Sequence, residues 1–473
     1  MRRPPGGARR RASLLAAAAV FLSGTGTHAQ QPTEFRQLAR DVLAELVNIN
    51  TAHSAQGTLE ASRAVETRLL AEGFPREDIH VVEVAPGEGS VVARLRGRDT
   101  GREPLLLLAH IDVVEADPAD WTLPPFEFIE RDGTFYGRGV ADDKDEAAIY
   151  TAILIRMVRE GFVPDRDVIM ALTHDEEGGG HNGVAWLLEN RRDLIDAGYA
   201  LNEGGGGQLV DGVRVSNAVQ ASEKKFQNFT LEATNPGGHS SRPRPDNAIY
   251  DLSRALIAVG AHEMPVNLNE VTTAFFTATA EIVDDPEVAD AMRRIVADPG
   301  DAGAAGILSR DPQYNAMMRT TCVATLLDGG HASNALPQRA TANVNCRILP
   351  DESPDDVRAA LERAIGNSDV TVTAEGRAQN SVPSPLTPEL LSTIERVTDE
   401  MWSGVPVVPT MSTGATDGLY LRNAGIPVYG VSGLFYGETF AHGMNERIPA
   451  QGFYEGLEFL DRLVRALSSG DVS

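Results

Sequence analysis

The stretch "PLLLLAHID" (residues 104–112) decides the reading of this chain. A short run of Leu and Ala with no polar alternation reads as a strand buried on both faces, as in a parallel sheet covered by helices on each side. It stops at His110, with Asp112 two residues further on. Runs of the same kind recur at 168–172, 199–201 and 427–431, and helical spacing appears at 33–49, 146–159 and 183–190. The pattern is α/β, with a mostly parallel mixed sheet flanked by helices.

The middle of the chain changes character. Residues 224–233 alternate as a strand, 247–259 have helical spacing, 320–327 and 340–348 read as strands, 353–365 as a helix and 370–374 as a last strand. That β-α-β-β-α-β order is the order of a ferredoxin-like unit. A chain of 473 residues exceeds what one core usually holds. The expected organisation is therefore an α/β domain from 30–218 and 379–473, interrupted by a second α+β domain at 219–378. Residues 280–318 read as an extra helical excursion inside the insertion.

Charge and composition exclude several classes. The balance of 42 Lys+Arg against 67 Asp+Glu gives a net charge of −25, which argues against a nucleic-acid surface. Two cysteines rule out a Cys-rich zinc site, so metal chemistry must use His and carboxylates. Residues 1–29 combine an Arg-rich start, the run "ASLLAAAAVFL" and a small-x-small ending at Thr27, His28 and Ala29. This is the order of a signal peptide, too short in its apolar part to span a bilayer comfortably. The mature chain is expected to be exported, periplasmic or secreted, with no membrane segment after signal removal.

The candidate chemistry sits where the apolar runs end. Period-two spacing puts Asp112 on the same side as His110, where its carboxylate would accept the second ring N–H and fix the tautomer. The run "DVIMALTH" leads into Asp175, Glu176 and Glu177, adjacent acids that point in different senses. One carboxylate can hold a metal while its neighbour reaches a water. "YALN" ends in Glu203, "YGRGVADDKDEAA" carries Asp142 at a helix entry, and "IPVYGVSG" leads on to His442. Carboxyl ends of strands in an open α/β sheet converge on one crevice. His with carboxylates suits Zn²⁺, or Mn²⁺ or Co²⁺ in its place.

Taken together, "AHIDVVEAD", "GRGVADDK", "THDEEGGG", "LNEGG", "GGHSSRP", "NALP", "RILP", "GATDG" and "AHGMNERI" resemble the di-zinc metallopeptidase family. That family includes aminoacylase, carboxypeptidase G, carboxypeptidase S, carnosinase-type dipeptidases and acetylornithine/succinyl-diaminopimelate deacylases. The segments run in family order from about residue 104 to 450, and "SEKK" and "RTT" look most like the carboxypeptidase S branch. The resemblance implies two Zn²⁺ per chain bridged by Asp142, with His110 and Glu203 on one ion and Glu177 and His442 on the other. It makes Glu176 the general base, His239 an oxyanion donor that often serves the partner subunit, and Arg347 and Asn334 the groups that bind a substrate carboxylate. It also implies a lid and dimerisation role for the insertion, hence a homodimer.

The expected activity is hydrolysis of small N-acyl amino acids or short peptides bearing a free C-terminal carboxylate. A dipeptidase or a succinyl-diaminopimelate/acetylornithine-type deacylase is the enzymatic alternative, and a metal-stabilised binding protein the non-enzymatic one. No G-x-S-x-G elbow or His-Glu-x-x-His motif is present. Asp145 follows Lys144 where the family usually has a small residue. Cys322 and Cys346 lie on neighbouring strands of the insertion, and antiparallel pairing in a suitable register would permit a disulfide.

Overall fold

The computed structural model describes residues 33–469 apart from 100, 179, 368 and 377. The segment read as a signal peptide, 1–29, lies outside the described residues. Among the described residues no helix is long and apolar enough to cross a membrane.

The Leu105–His110 strand lies inside a nine-stranded mixed sheet. It runs parallel to Val168–Thr173 on one side and Tyr199–Asn202 on the other, and Val428–Gly430 continues the parallel set beyond Tyr199–Asn202. The uniform apolarity of "LLLLA" has a direct cause. Leu105, Leu107 and Ala109 enter one core, with Val42, Leu43, Ile149, Ile153 and Leu460, while Leu106 and Leu108 enter a second, with Val184, Leu187 and Leu421. Each fully buried Leu contributes roughly 1.5–3 kcal/mol, so both faces reward the same residue type. Thr33–Asn48, Lys144–Arg159 and Ala450–Ser468 supply helices to the first core, Gly183–Asn190 and Gly418–Asn423 to the second.

The inserted segment forms a separate four-stranded antiparallel sheet, in the order Thr321–Gly329, Arg339–Ile348, Lys225–Thr234, Val370–Glu375. Ala248–Ala261 and Pro354–Ile365 cover one face, burying Phe229, Leu231, Val344 and Ile348 against Leu252 and Leu361. The other face carries the intervening residues Asn228, Asn343, Asn345 and Arg347. Cys322 pairs directly with Cys346 across two of these strands, and the two are joined by a disulfide.

The helical excursion is longer than its sequence pattern indicates, comprising Glu270–Thr279, Pro286–Ala297, Ala302–Leu308 and Pro312–Met318. It does not share the core of the four-stranded sheet. Val271, Phe276, Met292, Ile295 and Leu308 pack into the core of the nine-stranded sheet, with Val408 and Met411 of its edge strand Val407–Ser412.

Candidate active site

Strand ends and the loops that follow bring the chemistry together. His110 closes its strand at 2% exposure. Its Nδ1 donates to the backbone carbonyl of Asp112 at 3.1 Å, which leaves Nε2 facing Asp142 Oδ1 at 3.0 Å. The tautomer is thus set by the Asp112 carbonyl rather than by its carboxylate, whose Oδ1 stands 3.7 Å away. The carboxylate has a different task. It accepts the backbone N–H groups of Glu176 (3.2 Å) and Glu177 (3.0 Å) and so fixes the loop after Val168–Thr173. The extended geometry assumed for residues 110–112 ends at His110 because the strand itself ends there.

Asp142, just ahead of the helix Lys144–Arg159, faces a histidine with each oxygen: Oδ1 meets His110 and Oδ2 meets His442 Nε2 at 3.0 Å. His442 Nε2 also reaches Glu177 Oε1 at 2.9 Å. Glu203 Oε1 lies 4.0 Å from His110 Nε2. Ligand atoms of His110, Asp142 and Glu177 fall within 4.8 Å of one another, as do those of His110, Glu176 and Glu203. All five candidate ligands and the candidate base therefore share one centre, although the Glu176 carboxylate lies within ligand reach as well.

The electrostatics of this centre are those of acids lacking cations. Among the described residues, no Lys or Arg pairs with Asp142, Glu177 or Glu203, whose ion pairs are with histidines. Burial pushes Glu176 up to about 9, with Glu203, Asp417 and Glu177 adding repulsion against the opposing pull of His110. Burial and the Asp142 charge raise Glu203 well above the carboxylate range. Hydrogen bonding to Asp142, against partial burial and with help from Glu177, lifts His442 to about 9. Asp142 resists its own burial and stays below the carboxylate range because two histidines bond to it. Imidazole nitrogens and several carboxylates, converging with too little positive charge, fit divalent ions of the Zn²⁺ type.

A cavity of about 680 Å³ opens beside the centre, lined by Glu176, Glu177, Phe226, Asn345, Arg347 and Tyr420 among others. Arg347 therefore shares a cavity with the candidate base. Its guanidinium sits 5.7 Å from the Phe226 ring, and among the described residues no carboxylate is in ion-pair contact with it. His239 and Asn334 are elsewhere. His239 ends the strand Gly238–His239, which pairs with Ala335–Leu336, and Asn334 stands in the turn just before that second strand, where Ser240 N donates to its carbonyl at 3.0 Å; both residues are exposed. Neither lines the cavity. His239 Nδ1 accepts from Ser241 Oγ at 2.8 Å, leaving Nε2 as an outward donor.

Asp417 was passed over by residue reasoning, although it stands inside the quoted "GATDG". Its buried carboxylate accepts from Thr173 Oγ1 at 3.0 Å and from Asn182 Nδ2 at 2.5 Å, which ties the loop after Val168–Thr173 to the helix Gly418–Asn423. Burial raises it to about 6.

The model of peptidase family M20/M25/M40 matches residues 106–466, a span that holds every one of these candidate residues. The chain belongs to that family. An N-fatty-acyl-amino acid synthase/hydrolase PM20D1 of Xenopus tropicalis is 29% identical over 395 residues, covering 80% of this chain and 75% of its own. A probable carboxypeptidase S-like 2 of Dictyostelium discoideum is 27% identical over 388 residues, covering 80% of this chain and 74% of its own. Among solved structures, a family metallo-carboxypeptidase, Sso-CP2 of Sulfolobus solfataricus, aligns at TM-score 0.67 and 18% identity over 90% of this chain and 98% of its own. The protein is thus a metal-dependent hydrolase of amide bonds of the M20 peptidase and aminoacylase type.

Proposed function

We propose that the protein is an exported, dinuclear zinc hydrolase that releases amino acids with a free carboxylate from small N-acyl amino acids or short peptides. One observation carries the two-ion reading: each oxygen of Asp142 faces a different histidine, as a bridging carboxylate requires. His110 and Glu203 complete one ligand set, Glu177 and His442 the other. When bound, such an ion pair supplies Lewis acidity to the attacking water and the scissile carbonyl.

The chain's own residues do the rest. A Glu176 carboxylate oxygen takes the water's proton and returns it to the leaving amine, while Asp112 holds the loop that aims it. Arg347, unpaired in the cavity, offers two parallel N–H donors to the substrate carboxylate. His239 and Asn334 act on the cavity of a partner subunit, which accounts for two polar residues standing together outside their own. A homodimer through the inserted domain is supported by exposed Val323, Leu326 and Leu327 on its edge strand and exposed Tyr250 and Ile257 on Ala248–Ala261. The insertion 219–378 is then the lid and dimerisation unit, with its helices from 270 to 318 anchored on the catalytic body of 30–218 and 379–473. Export rests on the composition of 1–29 and agrees with the Cys322–Cys346 disulfide, a bond typical of oxidising compartments.

The test is Glu176→Gln in the full chain. It should keep two ions per chain by elemental analysis and lose roughly 10²–10⁴-fold in turnover of N-acyl amino acids. Full activity in that variant would remove Glu176 from the chemistry.

A further inference from the structure

We propose that Arg138 and Glu446 are positioning residues that set the spacing between Asp142 and His442, and through it the affinity of the ion on the His442 side. The proposal rests on the two-ion reading above.

The two ligands are about 300 residues apart in the chain and unequal in support. His110 is fixed by a buried strand end, whereas His442 is half-exposed on a loop with left-handed backbone at Phe440 (φ 57°), His442 (φ 60°) and Asn445 (φ 56°). Such a loop costs energy to hold and needs ties from outside. Glu446, four residues beyond His442, supplies them. It is 0% exposed, and its Oε1 accepts from Gly139 N (3.1 Å) and Ala141 N (2.9 Å), the latter being the amide immediately ahead of Asp142. Its backbone carbonyl accepts from Gly137 N at 3.2 Å. Arg138, 2% exposed, closes the ring from the other side. Nη1 donates to Glu446 Oε2 at 2.6 Å and Nη2 to the carbonyl of Gly443, next to His442, at 3.0 Å, while its guanidinium lies 5.1 Å from the Trp121 ring.

Each of the five hydrogen bonds joins residues 137–141 to residues 443–446. A buried ion pair is a poor stabiliser of a fold, since desolvation offsets most of its attraction and apolar replacements of similar volume are often as good. Here the pair has a geometric use that an apolar pair lacks: its side chains make four of the five bonds between the two segments that carry Asp142 and His442. Groups that orient metal ligands typically change affinity by 10–100-fold when removed.

Isothermal titration of the metal-free full chain with Zn²⁺ reads the affinities of both sites. For Glu446→Gln and Arg138→Met we expect one ion bound as in the parent and the other weakened by about 10–100-fold, with Arg138→Lys between them because an ammonium cannot serve Glu446 and Gly443 as a fork. Two ions bound with parental affinity by folded variants would overturn the proposal. Equal weakening of both ions, or loss of the fold in all three variants, would also overturn it by assigning the pair to the scaffold. A parent chain that binds a single ion or none would instead refute the two-ion reading itself.

Discussion

Metal binding to this protein should expel protons, and the shifts of its histidines and acids set the pH range. Without metal, His442 is raised from 6.5 to about 9 by Asp142 and Glu177, and Glu176 from 4.5 to about 9 by burial and its acidic neighbours. At pH 7 a group titrating near 9 is about 99% protonated. A ligand nitrogen must present its lone pair, so binding has to displace the His442 proton, and dications beside Glu176 favour its ionised form. Apparent affinity then rises with pH by up to tenfold per unit for each proton released, levelling near pH 9. One proton over two units contributes up to roughly 100-fold; solvent screening of the half-exposed His442 trims its share while each further proton released adds to it, so an overall gain of at least about 10-fold is expected between pH 7 and 9. Calorimetric titration with Zn²⁺ in buffers of different ionisation enthalpy measures the release directly, with at least one proton per chain expected at pH 7. The sign carries over to stability. Both folded values lie above the unfolded ones, so their contribution is fully present below the unfolded values and lost progressively as pH rises from them to about 9, and the melting temperature of the metal-free chain should fall across that window. A proton count of zero, with affinity flat from pH 7 to 9, would refute this reasoning.

Arg347→Met should raise KM for N-acyl amino acids by about 10–100-fold with a smaller effect on kcat, as expected for loss of a charged hydrogen-bonding pair; steady-state kinetics decide it, and an unchanged KM would remove Arg347 from carboxylate binding. Mixing His239→Ala chains with Glu176→Gln chains should restore activity, because a mixed dimer holds one cavity with an intact base and a donated His239; no recovery on subunit exchange would refute donation across the dimer. Replacing Cys322 and Cys346 by Ser opens a loop with a sequence separation of 24, which should cost roughly 3 kcal/mol and appear as a lower denaturation midpoint, with turnover little changed because Cys346 packs under the helices, away from the cavity.

Much of this was legible in the sequence because burial on two faces leaves a blunt signal. "LLLLA" and "VIMAL" have one physical reading, and the polar residues that end them are conspicuous by contrast. Strands of mixed surroundings left weaker traces: Val213–Glu223 and Val407–Ser412 carry polar residues on a sheet with crowded edges and were not read. Asp112 was assigned to the right neighbourhood and the wrong bond, since spacing along a strand says nothing once the strand has ended. The pairing of Cys322 with Cys346 depended on register, which the shift between Ala324 and Leu326 makes unreadable from spacing alone. Residues 280–318 announced helices through periodicity, but periodicity names a buried face and not the core that receives it. Arg138 and Glu446 sat within "GRG" and "NERI", and only their mutual contact distinguishes them from surface charges.

The helices from 270 to 318 leave the smaller sheet after Ala248–Ala261, lodge in the core of the larger one and return to begin Thr321–Gly329. Covalent chain therefore passes between the two bodies four times instead of twice. A plate joined to its base by two adjacent links can swing like a door; one stitched at four places, two of them gripped by a packed core, is restrained against that rotation.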